Sequence, residues 1–142
     1  MAATGVPFES DVKLLPGASA DTDLSAAQWK LVKFKNATGG PAACGTVVQL
    51  CSAATDVACG VLRDAPLGTT ALPVSCEVAW SGILKAFAGA TVTAGDLLQV
   101  DATGRVITLA ATGHSIGQAL SGAAVGELVY FMANFATSPI KA

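Results

Sequence analysis

The stretch Ala71-Leu-Pro-Val-Ser-Cys-Glu-Val-Ala-Trp80 alternates with a period of two: Leu72, Val74, Cys76, Val78 and Trp80 fall on one side, and Ala71, Pro73, Ser75, Glu77 and Ala79 on the other. Successive side chains of a β-strand point to opposite faces, so the pattern predicts a half-buried strand. Pro73 cannot donate to a ladder, which puts the start of this strand at an edge or leaves it paired on one side only. Outward from it, clusters of Val, Thr, Leu and Ile bounded by Gly, Asp and Thr predict further strands over 29–34, 46–51, 58–62, 83–87, 96–100, 106–109, 115–120 and 127–132. Asp101-Ala-Thr-Gly104 has the composition of a hairpin loop, with Gly104 at positive φ. The expected fold is all-β, a small β-barrel or β-sandwich of eight to nine short strands.

Three local features refine this expectation. Residues 1–27 carry a charge of −3 and no sustained period, which predicts an extended N-terminal arm ahead of a single all-β domain over 28–142. One short helical turn is expected around 24–28, capped by Asp23. Phe8, Val12, Leu14 and Leu15 are the apolar residues with which such an arm would lie along a partner. In the strand over 127–132, Leu128 and Tyr130 share one face while Val129 and Phe131 share the other. A strand apolar on both faces is central in a sandwich, inside a closed barrel, or covered by another subunit, so these four are candidate interface residues. From Trp29 to Lys35 the apolar face slips by one position, which a β-bulge near Leu31–Val32 would produce. A weak repeat also appears: Gly45-Thr-Val-Val-Gln-Leu resembles Gly95-Asp-Leu-Leu-Gln-Val, and the segment around Gly60 resembles that around Gly117.

Composition narrows the function. The chain has 142 residues, 52% hydrophobic and 13% charged, which suits one domain with an ordinary core. Eight basic against ten acidic residues leave no electrostatic footprint for nucleic acid. Much of the apolar content is alanine, and the most apolar window, 116–133, is broken by Gln118, Ser121 and Glu127, so no membrane span is expected. The N-terminus lacks the basic start and apolar core of a signal peptide, predicting synthesis without export and a reducing compartment for Cys44, Cys51, Cys59 and Cys76. No CxxC pair occurs among these four; they read as buried thiols, with no metal and no cofactor expected.

Catalytic groupings are equally sparse. His114 is the single histidine, in the loop-like Thr112-Gly-His-Ser115, and reads as an exposed turn residue; a site with Cys59 or Ser115 would lack any nucleophile-elbow context. Asp96 and Asp101 lie five apart on a strand, hence on opposite faces, and suit turns. The glycines at 117, 122 and 126 do not make a phosphate loop. Trp29, Trp80 and Tyr130 could form a glycan platform, although tryptophans on apolar strand faces belong more often to a core. No enzyme is expected.

The run from Thr22 to Phe34, TDLSAAQWKLVKF, is similar to the opening strand of tailed-phage capsid decoration, or cement, proteins. Ala88-Gly-Ala-Thr-Val-Thr-Ala-Gly-Asp-Leu-Leu-Gln-Val-Asp-Ala-Thr-Gly-Arg105 resembles that family's most recognisable segment. Cys59-Gly-Val-Leu-Arg-Asp-Ala-Pro-Leu-Gly68, Ile116-Gly-Gln-Ala-Leu120 and Gly126-Glu-Leu-Val129 resemble its two Gly-Val/Ile-Gly elements. The resemblance spans residues 22–132 and omits the first 21 residues and the cysteines as a set. It implies a virion protein, made in the host bacterial cytoplasm, that binds the outside of the expanded head. It further implies a homotrimer clamping neighbouring major capsid protein subunits, with avidity from many copies. A head-fibre or tail-associated module, or a glycan-binding one, is the alternative.

Overall fold

The computed structural model describes residues 8–20, 22–35, 47–66, 74–111 and 113–135. Among these residues there is no helix, and eleven strands follow in order: β1 (Ser10–Leu14), β2 (Ser19–Ala20), β3 (Leu31–Phe34), β4 (Val47–Leu50), β5 (Gly60–Leu62), β6 (Val74–Ser75), β7 (Val78–Phe87), β8 (Leu97–Val100), β9 (Val106–Thr108), β10 (Gly117–Ala119) and β11 (Leu128–Ala133). They form one sheet in the order β6-β2-β4-β3-β5-β7-β11-β10-β8-β9, with β1 added on β7. All pairs are antiparallel except β2 with β4. The all-β expectation holds, with a single open sheet of eleven strands where a barrel or sandwich of eight to nine was expected. The sheet curls: the amide of Leu31 donates to Gly104 O at 2.7 Å and that of Gly89 to Val106 O at 2.8 Å, bringing the β8–β9 hairpin back toward β3.

Both faces of the sheet's centre are buried. Leu31, Val61 and Ala79 lie in the larger core, with Leu84, Leu98, Val129 and Phe131. Their sequence neighbours Val32, Leu62 and Val78 lie in a second core, with Ala18, Ala20, Leu24 and Ala27. This corrects the expected bulge at Leu31–Val32. The ladder Leu31↔Val61, Val32↔Gly60 runs without a shift, and consecutive apolar residues occur there because each face has its own cover. The second face is covered by Ala18, Ala20, Leu24 and Ala27, from the stretch expected to be an arm. In the described part of that stretch β1 pairs with β7, and β2 pairs with β4 and β6. The short helical turn is replaced by successive turns, Ala27 N to Leu24 O and Lys30 N to Ala27 O, both 3.0 Å. Asp23 accepts from the Ser25 amide at 2.9 Å.

The decisive departure lies in β7. The strand expected over 71–80 stops after Ser75 and resumes at Val78, then continues through Ser81 and Gly82 to Phe87; positions 71–73 lie outside the described residues. Gly82 has φ +104 and faces Asp11, itself at φ +52, across a shifted register in which Ser10 opposes Ile83 and Lys13 opposes Ser81. A Cβ on residue 82 would meet the carbonyl oxygens of Ser10 and Asp11. The bulge reverses which side chains point inward: Ala79 faces the larger core before it, Leu84 and Ala86 after it. Trp80, upstream of the bulge and on the Val78 side of the strand, is 42% exposed and not the core residue that strict alternation predicted.

The repeat is partial. Val48 and Leu98 are both buried, but β4 and β5 flank β3 whereas β8 and β10 pair directly. The hairpin at 101–104 forms as read: Asp101 Oδ1 accepts from the Thr103 amide (2.8 Å), the Thr103 hydroxyl (2.8 Å) and the Arg105 amide (2.9 Å), and Gly104 has φ +82.

Candidate functional site

Alternation along β11 sorts the candidate interface strand. Val129 and Phe131 are fully buried in the larger core, Phe131 meeting Phe135 edge-on at 6.2 Å between ring centres. Leu128 and Tyr130 are half-buried on the opposite face, and Met132 continues that face at 45% exposure. The arm candidates divide similarly. Phe8 (70% exposed) and Leu14 (42%) face solvent. Val12 packs on the larger core and Leu15 on the second, its amide donating to Val78 O at 2.9 Å.

The pairing register assembles the outer residues of four strands into one surface. Leu97 of β8 opposes Gln118 of β10, which opposes Met132 of β11, which opposes Ile83 of β7. On the same face Tyr130 opposes Lys85, and Leu128 opposes Phe87. Leu97 is 51% exposed, and a shallow groove lined by Leu97, Gly117, Gln118, Met132 and Asn134 runs along the β8 side. The face thus presents Leu97, Met132 and Ile83, with the exposed polar Gln118 between the first two, over a core that is complete without them. Exposed apolar side chains clustered on one sheet face make it a candidate interaction surface.

Lys85, on β7 at one edge of this face, brings a charge to it. Its Nζ stands 4.4 Å from the centroid of the Trp29 ring, an arrangement in which the ring quadrupole attracts the cation. Trp29 is held by its backbone, at φ +64, donating to Leu62 O (2.7 Å) and accepting from the Phe87 amide (3.0 Å). Among the described residues no carboxylate pairs with Lys85; the ion pairs are Lys33–Asp56, Arg63–Glu9, Arg63–Glu77 and Arg105–Asp101. A second apolar spot, Phe34 and Val57, borders the Lys33–Asp56 pair. The Leu97-Leu98 doublet is a signal for the face, since consecutive leucines on a strand point to opposite sides and here one of those sides is exposed.

The groups weighed for chemistry are placed as follows. Cys51, Cys59 and Cys76 are buried free thiols, and Cys44 lies outside the described residues. Burial pushes the Cys51 and Cys59 thiols up to about 12 and that of Cys76 to about 11, which disfavours nucleophilic thiolates. His114 is half-buried, not the exposed residue expected, and its Nδ1 is enclosed without a hydrogen-bond partner. Asp96 and Asp101 both brace turns, Asp96 accepting from the Thr93 amide at 2.9 Å. Asp56 does the same for the amides of Ser52 and Ala53. Burial raises its pKa, but these bonds and Lys33 outweigh that and hold the carboxyl below its ordinary value. Among the described residues no three His, Cys, Asp or Glu side chains converge as a metal site. No helix there is long and apolar enough to cross a membrane.

Comparison with known proteins places this geometry. A family model described as phage cement protein matches residues 26–134. Among solved structures, the head fiber gp8.5 N base of bacteriophage phi29 is similar at 15% identity and a TM-score of 0.58, over 92% of this chain and 99% of that one. At that identity the likeness concerns the fold. No curated protein sequence matches the chain.

Proposed function

The chain belongs to the phage cement protein family, and from that premise we propose that it binds the outside of the expanded phage head and clamps neighbouring major capsid protein subunits as a homotrimer. It is a structural component of the virion, and the role proposed is mechanical and non-catalytic, exercised after synthesis in the host bacterial cytoplasm. Each added interface raises the free energy needed to separate capsomers, and many copies on one lattice give avidity from individually modest contacts.

The observation that carries the proposal is the apolar outer face of β7, β11, β10 and β8 over an already complete core. Leu97 and Met132 are exposed together on that face, where a partner would remove both from water. Phe8 and Leu14, exposed at the β1 edge, are further contact candidates. The test is co-sedimentation of the protein with expanded, undecorated heads. Saturation at a fixed small ratio per major capsid subunit, with heads disrupted at a higher temperature, is the expected outcome. No binding, or binding without added resistance to heat, would remove the cement role.

A second reading, the base of a head fibre, is favoured by the fold shared with the phi29 head fiber base. It predicts attachment to the head without added resistance of the heads to heat.

A further inference from the structure

We infer that the outer face of β7, β11, β10 and β8 is the surface that meets the shell, and that its partner there is an apolar patch of a capsid subunit bearing a carboxylate opposite Lys85. The inference rests on the cement reading above and gives it a location and a chemistry.

Two observations choose the occupant. The first is charge. Lys85 stands amid Ile83, Phe87, Leu128, Tyr130 and Met132, is fixed over the Trp29 ring, and is paired with no carboxylate among the described residues. Covering this face with a purely apolar partner would strand the ammonium away from water. A partner carboxylate would instead complete a charge pair already ordered on one side. The second is size. β7 pairs with β11 over five positions, β11 with β10 over three and β10 with β8 over two; at ~4.8 Å between strands and ~3.3 Å per residue this gives a flat footprint of about 200 Å². A stable pairwise association needs about 800 Å² from each partner. The face is therefore too small to hold a second copy in solution by itself and suited to a contact repeated over a lattice, where avidity supplies the rest.

The test uses full-length protein and expanded heads, comparing wild type with Leu97→Glu, Met132→Glu and Lys85→Glu, and with Val57→Glu as a control. Leu97, Met132 and Val57 are each about half exposed, so the fold tolerates the changes. Head binding is read by co-sedimentation at two salt concentrations, and the oligomeric state of the free protein by analytical ultracentrifugation. Leu97→Glu and Met132→Glu are expected to weaken head binding at least tenfold. Lys85→Glu should do so too and flatten the salt dependence, while Val57→Glu binds as wild type and the free oligomer is unchanged throughout. Wild-type binding by Leu97→Glu and Met132→Glu overturns the assignment of the face while leaving the cement role standing. Altered free oligomers make the occupant a second copy and overturn it as well. If wild-type protein does not bind heads, the cement reading itself fails and the inference with it.

Discussion

Replacing Gly82 with alanine tests the bulge on which the geometry of the outer face depends. The residue sits at φ +104, a conformation whose cost for a side-chain-bearing residue is about 1–3 kcal/mol. The new methyl group would also land against the carbonyl oxygens of Ser10 and Asp11, backbone atoms of β1 that cannot rotate aside. Such overpacking adds about 1–3 kcal/mol, so a loss of about 3 kcal/mol is expected. At this chain length that corresponds to a fall in Tm of about 10 °C. Gly17→Ala separates strain from collision: residue 17 also has positive φ, +68, but a Cβ there meets nothing within 4 Å. It should cost only about 1 kcal/mol. Urea unfolding followed by tryptophan fluorescence measures both, since Trp80 lies in β7 and Trp29 is bonded to its end. Hydrogen exchange should show Gly82→Ala releasing residues 10–14 first. Equal losses for the two variants, or a loss below ~1 kcal/mol for Gly82→Ala, would refute the bulge as the device that turns Leu84 and Ala86 inward.

Other expectations follow from single contacts. Asp101→Ala removes the acceptor of three hydrogen bonds in the β8–β9 hairpin and should cost about 1–3 kcal/mol in thermal or urea unfolding. Phe131→Ala empties a fully buried site in the larger core and should cost about 3–5 kcal/mol, where the surface change Met132→Ala costs far less. Cys51, Cys59 and Cys76 should resist a thiol reagent at neutral pH until the protein is unfolded, as counted by mass spectrometry. Their raised pKa values mean that the folded state holds its thiol protons longer than the unfolded one. Stability is therefore fully present below the ordinary thiol value of 9.0 and is lost as pH climbs toward about 12, which denaturation midpoints across that range would trace.

Much of the fold was legible in the chain because short strands announce themselves by β-branched clusters and turn residues. Asp101-Ala-Thr-Gly104 is a case in which composition and conformation agree, the carboxylate bracing the loop that it was expected to make. What escaped the sequence depends on neighbours. Alternation over 71–80 could not reveal that Gly82 breaks the parity downstream, because the bulge is specified jointly with Asp11, seventy-one residues earlier. The doublet Leu31-Val32 looked like a slip because one strand cannot show that Ala18, Ala20, Leu24 and Ala27 return to cover its second face. The burial of Gln99 also depends on neighbours, its Oε1 accepting from the Ala110 amide at 2.6 Å and its Nε2 donating to Val100 O at 3.2 Å. Of the interface strand, Leu128 and Tyr130 remain available to a partner while Val129 and Phe131 do not. Assigning the face needed the register, which alone puts Leu97, Gln118, Met132 and Ile83 in one row.

The most direct measurement is a cryo-electron microscopy map of expanded heads saturated with the protein, set against a map of the undecorated heads. The account predicts added density on the outer surface that bridges neighbouring major capsid subunits, with the β7–β11–β10–β8 face turned toward the shell. Density confined to a few special positions, density that touches only one subunit, or none on the outer surface would contradict it.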